Sequence, residues 1–532
     1  MTRRLALAAL AACALGAGVS GCGGSSTKAV PVPTVNSHRV GPVPMFTVGS
    51  ELYTNSAANM DLLQRLGVGV VRLDVNWATV APDPTSAHQP AFDARDPSAY
   101  PAMTRYDALI RGLTARHIGI DLALIGPPPR WAEGRGAPSP STQPFWKPDA
   151  HDYADFVRAV GARYSGHFTP SGASRPLPRI NFWSIWNEPN IGTNLGPEVT
   201  HSGSPIEVAP KLYRALLNGA WNALQATGHG QDRLLIGELA PAGVTKGEPG
   251  LFNAMAPLRF LRALYCVDAD YRQLRGTQAS QRGCPATPAT SASFVTQNPG
   301  LFKAPGFAVH PYSFTSLPPN VRIPNEPDYA ELAAMPTLEA TLDRLQRVYG
   351  SNKKFPIWST EFGYLTNPPN PQYTITPARA AYYLNWAEYM TWEDPRLKSF
   401  DQFLISDPPG TTVFATGLAT STGQPKPAFD AYRMPLYLPV TSGAAKQQLL
   451  VWGDVRPAPD AARRSHRRQE VQVQFKSSSG KDFGTVNTVA LTNPHGYFEV
   501  RQAFPSSGSV RLRWKYPNGQ AVFSRIVDIT LH

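Results

Sequence analysis

Two glutamates each follow a short apolar stretch, and together they could carry out one reaction. Glu188 ends the stretch Asn181-Phe-Trp-Ser-Ile-Trp-Asn, and Glu361 follows Phe355-Pro-Ile-Trp-Ser-Thr. A carboxylate at the end of an apolar strand is costly unless it has a partner or a function. Glycoside hydrolysis needs two such groups, because one protonates the leaving oxygen while the other attacks the anomeric carbon or activates water. The alternative for either residue is a strand-end glutamate that faces solvent.

The segments around these glutamates alternate between strand-like and helix-like patterns. Thr376-Pro377, for example, supplies an N-cap followed by proline at the first helical position. Apolar stretches predict strands over residues 46–49, 68–77, 118–125, 180–186, 233–239, 307–310, 355–360 and 397–405. Eight strand–helix units favour an α/β fold, a parallel (β/α)8 TIM barrel, in which the carboxyl ends of the strands meet at one mouth. An open doubly wound sheet is the alternative, but the glycine-rich phosphate turn it requires after the first strand is absent.

One motif carries a resemblance to a known group of enzymes. Trp186-Asn-Glu-Pro189 on the fourth predicted strand, with a glutamate ending the seventh, resembles clan A of the retaining glycoside hydrolases, in particular families 39 and 5. The resemblance spans residues 45–438. It implies that Glu188 is the general acid/base and Glu361 the nucleophile of a double displacement through a covalent glycosyl-enzyme. It implies no metal or organic cofactor, and the sequence shows no clear metal-ligand cluster.

The resemblance also implies contacts around the two carboxylates. Asn187 would bond the sugar hydroxyl next to the anomeric carbon, and Arg72 would support the nucleophile and favour its charged form. The other side chains expected to bind substrate are Trp77, Trp131, His310, Tyr312 and Phe403. Several have structural alternatives, since Arg72 could be a barrel ion-pair partner, His310 a structural histidine, and both tryptophans part of the core.

Two positions depart from the pattern of these families. Phe403 stands on the eighth strand where a tryptophan is usual, and Glu238 stands on the fifth strand where a small residue is expected. Glu238 could be a spare cleft carboxylate or the buried partner of an arginine, and we assign it no catalytic role. Both departures leave the identity of the sugar open.

The N-terminus has the features of an export signal. Arg3 and Arg4 precede an apolar run over residues 5–19, which is too short to span a bilayer comfortably. The run ends in Val19-Ser-Gly-Cys22, which resembles the lipobox of bacterial lipoproteins. Cys22 is therefore expected to carry a lipid that anchors the protein to the outer face of the bacterial cell membrane. The alternative is an ordinary secretory signal, residues 1–22, with an incidental cysteine; residues 23–44 are predicted to be a flexible tether.

Two cysteines remain beyond the signal. In an exported protein Cys266 and Cys284 most simply form a disulfide that closes a short loop, and two free buried thiols are the alternative. The formal net charge is +12, but zinc-finger spacing, ribonucleoprotein motifs and continuous basic helices are absent. We therefore expect no nucleic-acid partner, and we attribute the charge to attraction to an anionic envelope surface.

Residues 439–532 differ in pattern from the rest of the chain. Alternation with period two, as in Gln469-Glu-Val-Gln-Val-Gln-Phe475, predicts a small antiparallel β-sandwich that braces the barrel or binds carbohydrate. The basic run from Arg463 to Arg468 is predicted to be a solvated loop or a contact to an anionic envelope. We expect a monomer.

The sequence thus predicts an exported, lipid-anchored glycoside hydrolase that acts on a poly- or oligosaccharide. The alternative is a non-catalytic, carbohydrate-binding surface lipoprotein on a degenerate barrel. Because a degenerate barrel would tolerate loss of either glutamate, the presence of both Glu188 and Glu361 favours the enzyme.

Overall fold

Parallel strands alternating with helices make up most of the chain. The structure is a computed structural model that describes residues 39–138, 145–200 and 205–532. In chain order, the strands of its larger part are β1 (Val43–Thr47), β2 (Val70–Asn76), β3 (Gly119–Ile125), β4 (Phe182–Ile185), β5 (Val199–Thr200), β6 (Ile206–Glu207), β7 (Arg233–Leu239), β8 (Gly306–Val309), β9 (Ile357–Ser359) and β10 (Ser399–Phe403).

Helices connect these strands. They are α1 (Glu51–Thr54), α2 (Ser56–Arg65), α3 (Trp77–Val80), α4 (Thr104–Ala115), α5 (Ala150–Arg163), α6 (Ala209–Ala226), α7 (Pro257–Leu264), α8 (Gly276–Gln281), α9 (Pro288–Gln297), α10 (Pro299–Lys303), α11 (Met335–Val348), α12 (Pro377–Glu393) and α13 (Pro427–Arg433). Short 3-10 helices cover Pro97–Ala99, Pro101–Met103, Arg130–Ala132 and Leu332–Ala334. The predicted cap of α12 is present, since the Thr376 hydroxyl accepts a hydrogen bond from the Arg379 amide.

Eight strands form one parallel sheet that nearly closes on itself. Its order is β10-β1-β2-β3-β4-β7-β8-β9. The two end strands meet at their beginnings, where the Lys398 amide donates to the Ile357 carbonyl at 2.7 Å. Because the two end strands meet and the strands follow one another around the sheet in chain order, the open doubly wound alternative is wrong. The sheet has the order of a TIM barrel.

All eight predicted barrel strands are present, and the fifth has the predicted bounds. The first begins at Val43, so the last two residues of the predicted tether belong to β1. The Cys266–Cys284 disulfide is confirmed, with 5.6 Å between the two Cα atoms. The segment that it closes was predicted to be loop, but it contains α8, and α9 and α10 that follow it were not predicted either.

Several buried side chains of the barrel strands are polar. Thr47, Arg72, Asp121, Ser184 and Asp401 are at most 1% exposed, and all lie on barrel strands. Neighbouring strands place three of them at adjacent positions, since Thr47 is in register with Arg72 and Arg72 with Asp121. Because buried polar groups need partners, hydrogen bonds and ion pairs hold this part of the barrel.

The C-terminal part of the chain is separate β-structure. Its elements are β11 (Leu436–Tyr437), β12 (Ser442–Gly443), β13 (Gln448–Asp454), α14 (Ala458–Ser465), β14 (Gln469–Ser477), β15 (Gly484–Leu491), β16 (Tyr497–Ala503), β17 (Gly508–Lys515), β18 (Ala521–Phe523) and β19 (Val527–Leu531). Strands β13 and β15 were not predicted, and the basic run predicted to be a loop begins inside α14.

These strands form two sheets. One has the order β11-β13-β16, and the other has the order β12-β19-β17-β14-β15 with β18 beside β17. Pairing is antiparallel except for the short β12–β19 pair. Val451 of the first sheet and Val471 and Val510 of the second belong to one hydrophobic cluster. The described residues of barrel and β-structure form one compact unit, and within them no helix has both the length and the hydrophobicity to cross a bilayer.

A buried ion-pair network joins the barrel to the β-structure. Both carboxylate oxygens of Glu388, on α12, accept hydrogen bonds from the Arg456 guanidinium, at 2.7 and 2.6 Å. Arg456 also binds Asp454 at 2.9 Å, and the Tyr497 hydroxyl donates to Glu388 at 2.8 Å. The side chains of Glu388, Arg456 and Asp454 are all 0% exposed. This network supports a bracing role for the C-terminal sheets.

Removing one partner of this network should destabilise the whole chain. We expect Glu388→Ala to lower the free energy of unfolding by about 3–5 kcal/mol, because Arg456 would be left buried with too little compensating charge. Glu393→Ala is the matched control, since Glu393 lies on the same helix with an exposed side chain, and its effect should stay within about 0.5 kcal/mol. Equal unfolding midpoints in urea for the two variants would contradict this interpretation.

Candidate active site

Glu188 lies just beyond β4 in a strained turn. Trp186 and Glu188 have φ angles of 67° and 43°, a region that costs non-glycine residues energy and is found mostly at functional sites. The Glu188 amide donates to the Glu238 carbonyl at 2.9 Å, and the Ile191 amide donates back to the Glu188 carbonyl at 2.9 Å. Asn190, fully buried, binds backbone atoms of Ala240 and Met255. The turn is therefore held to the segment after β7.

Glu361 lies two residues beyond β9 and faces the same mouth. Its Oε1 accepts a hydrogen bond from Arg72 Nη1 at 2.8 Å, and its Oε2 accepts one from the Tyr312 hydroxyl at 3.1 Å. Burial, followed by the charge of Glu361, raises the pKa of Tyr312 well above its ordinary value. The phenol therefore keeps its proton and donates, so both oxygens of Glu361 receive donors.

The structure brings the two predicted catalytic carboxylates together. One oxygen of Glu188, one oxygen of Glu361 and one ring nitrogen of His310 all lie within 4.8 Å of one another. The side chains of Glu188 and Glu361 are 19% and 12% exposed, so both remain reachable from the mouth. Carboxyl groups about 5–5.5 Å apart are typical of retaining glycosidases, whereas inverting enzymes hold them about 6.5–9.5 Å apart.

Arg72 contacts three acidic groups in the mouth. Its guanidinium is fully buried and lies 2.8 Å from Glu361, 3.2 Å from Asp74 and 3.4 Å from Glu238. Arg72 Nη2 also donates to Asn187 Oδ1 at 2.8 Å. That bond fixes the Asn187 amide with its oxygen toward Arg72, which leaves the NH₂ group to donate elsewhere. Arg72 is thus an ion-pair partner inside the barrel and a direct contact of Glu361.

His310 bridges two carboxylates. It follows β8, and its Nδ1 lies 3.0 Å from Glu188 Oε1 while its Nε2 lies 2.9 Å from Glu238 Oε2. Glu238 Oε2 also accepts a hydrogen bond from the Thr360 hydroxyl at 2.8 Å. Because both ring nitrogens face carboxylates, the doubly protonated imidazolium satisfies both contacts at once.

A bulge in β7 turns Glu238 into the barrel. Gly237 pairs with Ala308 and Leu239 pairs with Val309, so Glu238 between them has no partner of its own in β8. Its φ angle is 49°. Bulges commonly redirect a side chain beside an active site. Glu238 is fully buried, and it is a partner of Arg72 and His310 rather than a spare carboxylate in the cleft.

Charge pairing decides the protonation of His310 and Glu238. Burial alone would lower the pKa of His310, but Glu361, Glu188 and Glu238 outweigh it and raise the pKa to about 10. Burial alone would raise the pKa of Glu238, but Arg72 and His310 outweigh it and lower the pKa to about 2. Around neutral pH the pair is therefore imidazolium and carboxylate.

The remaining acidic groups behave differently. Burial raises the pKa values of Asp121 and Asp401 well above the ordinary range, and it raises the pKa of Asp74 as well. Burial also raises the pKa of Glu361, although His310 and Arg72 both lower it. Arg72 thus lowers the pKa of Glu361, as predicted, but burial and the neighbouring charge of Glu188 together exceed the effect of the two cations.

The two carboxylates differ in the hydrogen-bond donors that they receive. Glu361 has donors on both oxygens, which favours the anion there. On Glu188, Oε1 faces His310 Nδ1 at 3.0 Å, and among the described residues Oε2 has only the longer bond from Asn194, at 3.4 Å.

Glu188, His310 and Glu361 could also be considered as metal ligands. Each offers one ligand atom, and these atoms lie within 4.8 Å of one another. A metal ion needs neutral imidazole, but His310 has a carboxylate at each ring nitrogen and a pKa of about 10. This favours hydrogen bonding over ligation. A second cluster, Asp149, His151 and Asp152, lies at the surface, where Asp149 caps α5.

Two of the aromatic residues predicted to contact the sugar, Tyr312 and Phe403, pack against each other. Tyr312 packs edge-on against Phe403, with 6.4 Å between ring centroids, and both pack against Phe414. Phe403 ends β10 and is partly exposed, so its prediction as a sugar contact stands. Phe414 was not predicted, because it lies in an irregular segment that gives no strand or helix pattern.

The prediction for Trp77 is wrong, because its side chain is fully buried. Trp77 opens α3, stacks on Phe156 at 5.6 Å and contacts Tyr153 at 5.5 Å, so it is part of the core. Trp131 packs edge-on against Trp77 and is only partly buried. Its nitrogen donates to the Pro82 carbonyl at 3.1 Å. Trp131 stays a predicted sugar contact.

The charge of His310 provides a test of this site. The contribution of the Glu238–His310 pair to stability should be complete between about pH 4.5 and 6.5, the ordinary pKa values of the two groups. It should be lost as the pH rises through about 10 or falls through about 2. Nuclear magnetic resonance of the ring nitrogens should show His310 doubly protonated at pH 8.

In Glu238→Gln the pKa of His310 should fall by at least about one unit, since one of its carboxylate partners is lost. Glu470→Gln, at an exposed position of β14, should leave it unchanged. A wild-type His310 that titrates near its ordinary value would contradict the assignment.

Comparison with known proteins gives similarity to solved glycoside hydrolase structures. No family model and no curated protein matches the chain. A family 39 glycoside hydrolase from Bacteroides cellulosilyticus WH2 has 15% identity and a TM-score of 0.45, covering 89% of this chain and 81% of its own. A glucosidase from Croceicoccus marinus has 12% identity and a TM-score of 0.46, covering 88% and 92%. A family 1 β-glucosidase from Thermotoga maritima has 14% identity and a TM-score of 0.41, covering 72% and 85%.

Proposed function

We propose that this protein is a retaining glycoside hydrolase with Glu188 as general acid/base and Glu361 as nucleophile. One observation carries the proposal: two carboxylates at the ends of β4 and β9 have oxygens within 4.8 Å, and only Glu361 has a strong donor on each oxygen. This spacing leaves no room for a water between the carboxylate and the sugar, which inversion would require. It does allow direct attack.

In the first step Glu361 attacks the anomeric carbon while the bond to the leaving oxygen breaks. Glu188 gives its proton to that oxygen, so the leaving group departs as a neutral hydroxyl compound. The Glu188 carboxylate that forms lies 3.0 Å from the His310 imidazolium, which stabilises the new charge. Arg72 and Tyr312 position Glu361 and release it as its charge passes into the ester bond.

In the second step a water molecule replaces the leaving group. Glu188, now ionised, takes a proton from the water, and the oxygen attacks the anomeric carbon from the side opposite Glu361. The ester bond breaks, Glu361 recovers its charge beside Arg72, and Glu188 is protonated again. The two inversions give net retention. The Asn187 amide is oriented by Arg72, and its NH₂ group, which donates to none of the described residues, would bind the neighbouring sugar hydroxyl.

The remaining parts of the proposal concern location and organisation. We propose export through the signal of residues 1–22, with a lipid anchor at Cys22 and a tether after it; residues 1–38 lie outside the described part of the chain. The barrel would extend to about residue 438. The C-terminal sheets would form a β-sandwich whose buried contacts to α12 support bracing over carbohydrate binding. The substrate would be a poly- or oligosaccharide, cleaved by a monomer.

Release of product from a polysaccharide panel tests the catalytic assignment. The panel should include bacterial envelope glycans, with wild type compared to Glu188→Gln and Glu361→Gln. Glu361→Gln should abolish release, because an amide cannot form the glycosyl ester. Glu188→Gln should reduce turnover by about 10²–10⁴-fold, the usual contribution of general acid–base catalysis. Glu393→Gln, far from the mouth on α12, should be unaffected. Retained glycan binding without release in any protein would instead favour the non-catalytic binding lipoprotein.

Membrane fractionation tests the anchor. In a bacterial host the wild type should remain in the membrane fraction and partition into detergent, because a diacylated cysteine gives stable anchoring. The Cys22→Ala protein should lack the mass of the lipid. It should either be released from the membrane or be retained only through an uncleaved signal. Cys13→Ala, inside the apolar run, is the control and should behave as wild type. A Cys22→Ala protein that still carries lipid would contradict the anchor.

A further inference from the structure

A cavity lies at the opposite end of the barrel from Glu188 and Glu361. It has a volume of about 520 Å³ and is bordered by the end of α2, by α13, by the end of α14 and by the turn between β17 and β18. Helix α2 leads into the beginning of β2, whereas Glu188 and Glu361 follow the ends of their strands. The cavity is therefore distinct from the proposed active site. Its size is that of many small-molecule sites.

Three arginines border this cavity, and we call it the arginine pocket. Arg65 ends α2, Arg433 ends α13 and Arg464 lies near the end of α14. Burial raises the pKa of the Tyr516 phenol, and Arg433, Arg65 and Arg464 all oppose that rise. The three guanidinium groups, supplied by separate elements, therefore lie within electrostatic reach of one hydroxyl.

Positive charge in the arginine pocket exceeds the negative charge that pairs with it. Within the described residues Arg65 forms no ion pair. Arg464 binds Asp460 at 2.7 Å, but Arg463 shares the same carboxylate. Arg433 binds Asp430, yet its Nε is buried and has no hydrogen-bond partner among the described residues. The pocket thus has donors and charge available for an anion.

Part of the remaining wall is apolar. Phe429 lies beneath the Arg433 guanidinium, 5.6 Å from ring centroid to carbon, and Leu62 of α2 and Leu66 just after it also border the cavity. The Tyr516 ring borders the cavity as well, and its hydroxyl donates to the Arg65 carbonyl at 3.0 Å. Aromatic faces pack against the apolar faces of sugar rings, while arginines bind carboxylate or phosphate through paired N–H groups.

We propose that the arginine pocket binds an acidic sugar unit of a glycan, with the anionic group on the arginines and the sugar ring against Phe429 and Tyr516. The acidic group is a carboxylate or a phosphate, which share this recognition chemistry. The choice of a sugar rests on the proposed function, whereas the choice of an anion rests on the pocket. The site would hold the protein on an anionic glycan without taking part in hydrolysis.

Two charge reversals on adjacent residues give a matched test. Arg464→Glu changes a residue that lines the pocket, and Arg463→Glu changes its neighbour, which does not. Both side chains bind Asp460, and they are 52% and 53% exposed, so neither change should prevent folding. Both alter the net charge equally, so a difference between them cannot come from general electrostatic attraction.

Calorimetric titration of the full chain carrying Glu361→Gln measures binding without turnover. The probes are a glucuronic acid disaccharide, glucose 6-phosphate, a neutral disaccharide and inorganic phosphate. We expect one or both acidic sugars to bind more tightly than the neutral sugar and free phosphate. The tighter acidic probe identifies carboxylate or phosphate as the preferred group. Arg464→Glu should weaken that binding about tenfold or more, and Arg463→Glu less than about twofold.

Three results would overturn the proposal: no binding of either acidic sugar at millimolar concentration, equal binding of the neutral disaccharide, or equal weakening by both charge reversals. Free phosphate that binds as tightly as both acidic sugars would also overturn it. None of these results depends on whether wild type releases product from polysaccharides. Failure of the arginine pocket and failure of the hydrolase proposal are therefore distinguishable.

Discussion

The site depends on two buried cations that hold several carboxyl groups in one small volume. Arg72 binds Glu361 and Asn187, while His310 spans Glu188 and Glu238, so two cationic groups fix four side chains from the β4, β7 and β9 segments. Burial strengthens each of these interactions and also makes any unpaired charge costly. The same contacts leave Glu188 and Glu361 side by side at the mouth, where the proposed double displacement needs one acid and one nucleophile.

The fold supplies the positions that these cations connect. Parallel strands bring their ends to one mouth, but strand geometry alone would not direct every side chain inward. The left-handed backbone conformation of Glu188, in a turn held by Asn190, and the β-bulge at Glu238 direct these two side chains toward the site. Both cost backbone strain, and the buried hydrogen bonds and ion pairs offset it. Similarly, the buried Glu388–Arg456 ion pair fixes the C-terminal sheets to helix α12 of the barrel.

Sequence patterns predicted the barrel and most of its site, because these features depend on local signals. Apolar periodicity located all eight strands, and strand-end position placed Glu188 and Glu361 in one mouth. The family resemblance added Arg72, His310 and Tyr312 to that mouth. Features set by non-local contacts were missed. The orientation of Glu238 depends on a bulge against β8, and the burial of Trp77 depends on its packing against Phe156. The pKa of Glu361 depends on whether burial outweighs two cations that are far away in the sequence but close in space.

The stereochemistry of the first product tests the central claim most directly. Proton nuclear magnetic resonance, recorded in the first minutes of hydrolysis before mutarotation, distinguishes the two anomers. If Glu361 is a nucleophile that attacks the anomeric carbon itself, the early product has the same anomeric configuration as the substrate bond. An early product of the opposite configuration would show that water attacks in a single step, and the assignment of Glu188 and Glu361 as a retaining pair would be wrong.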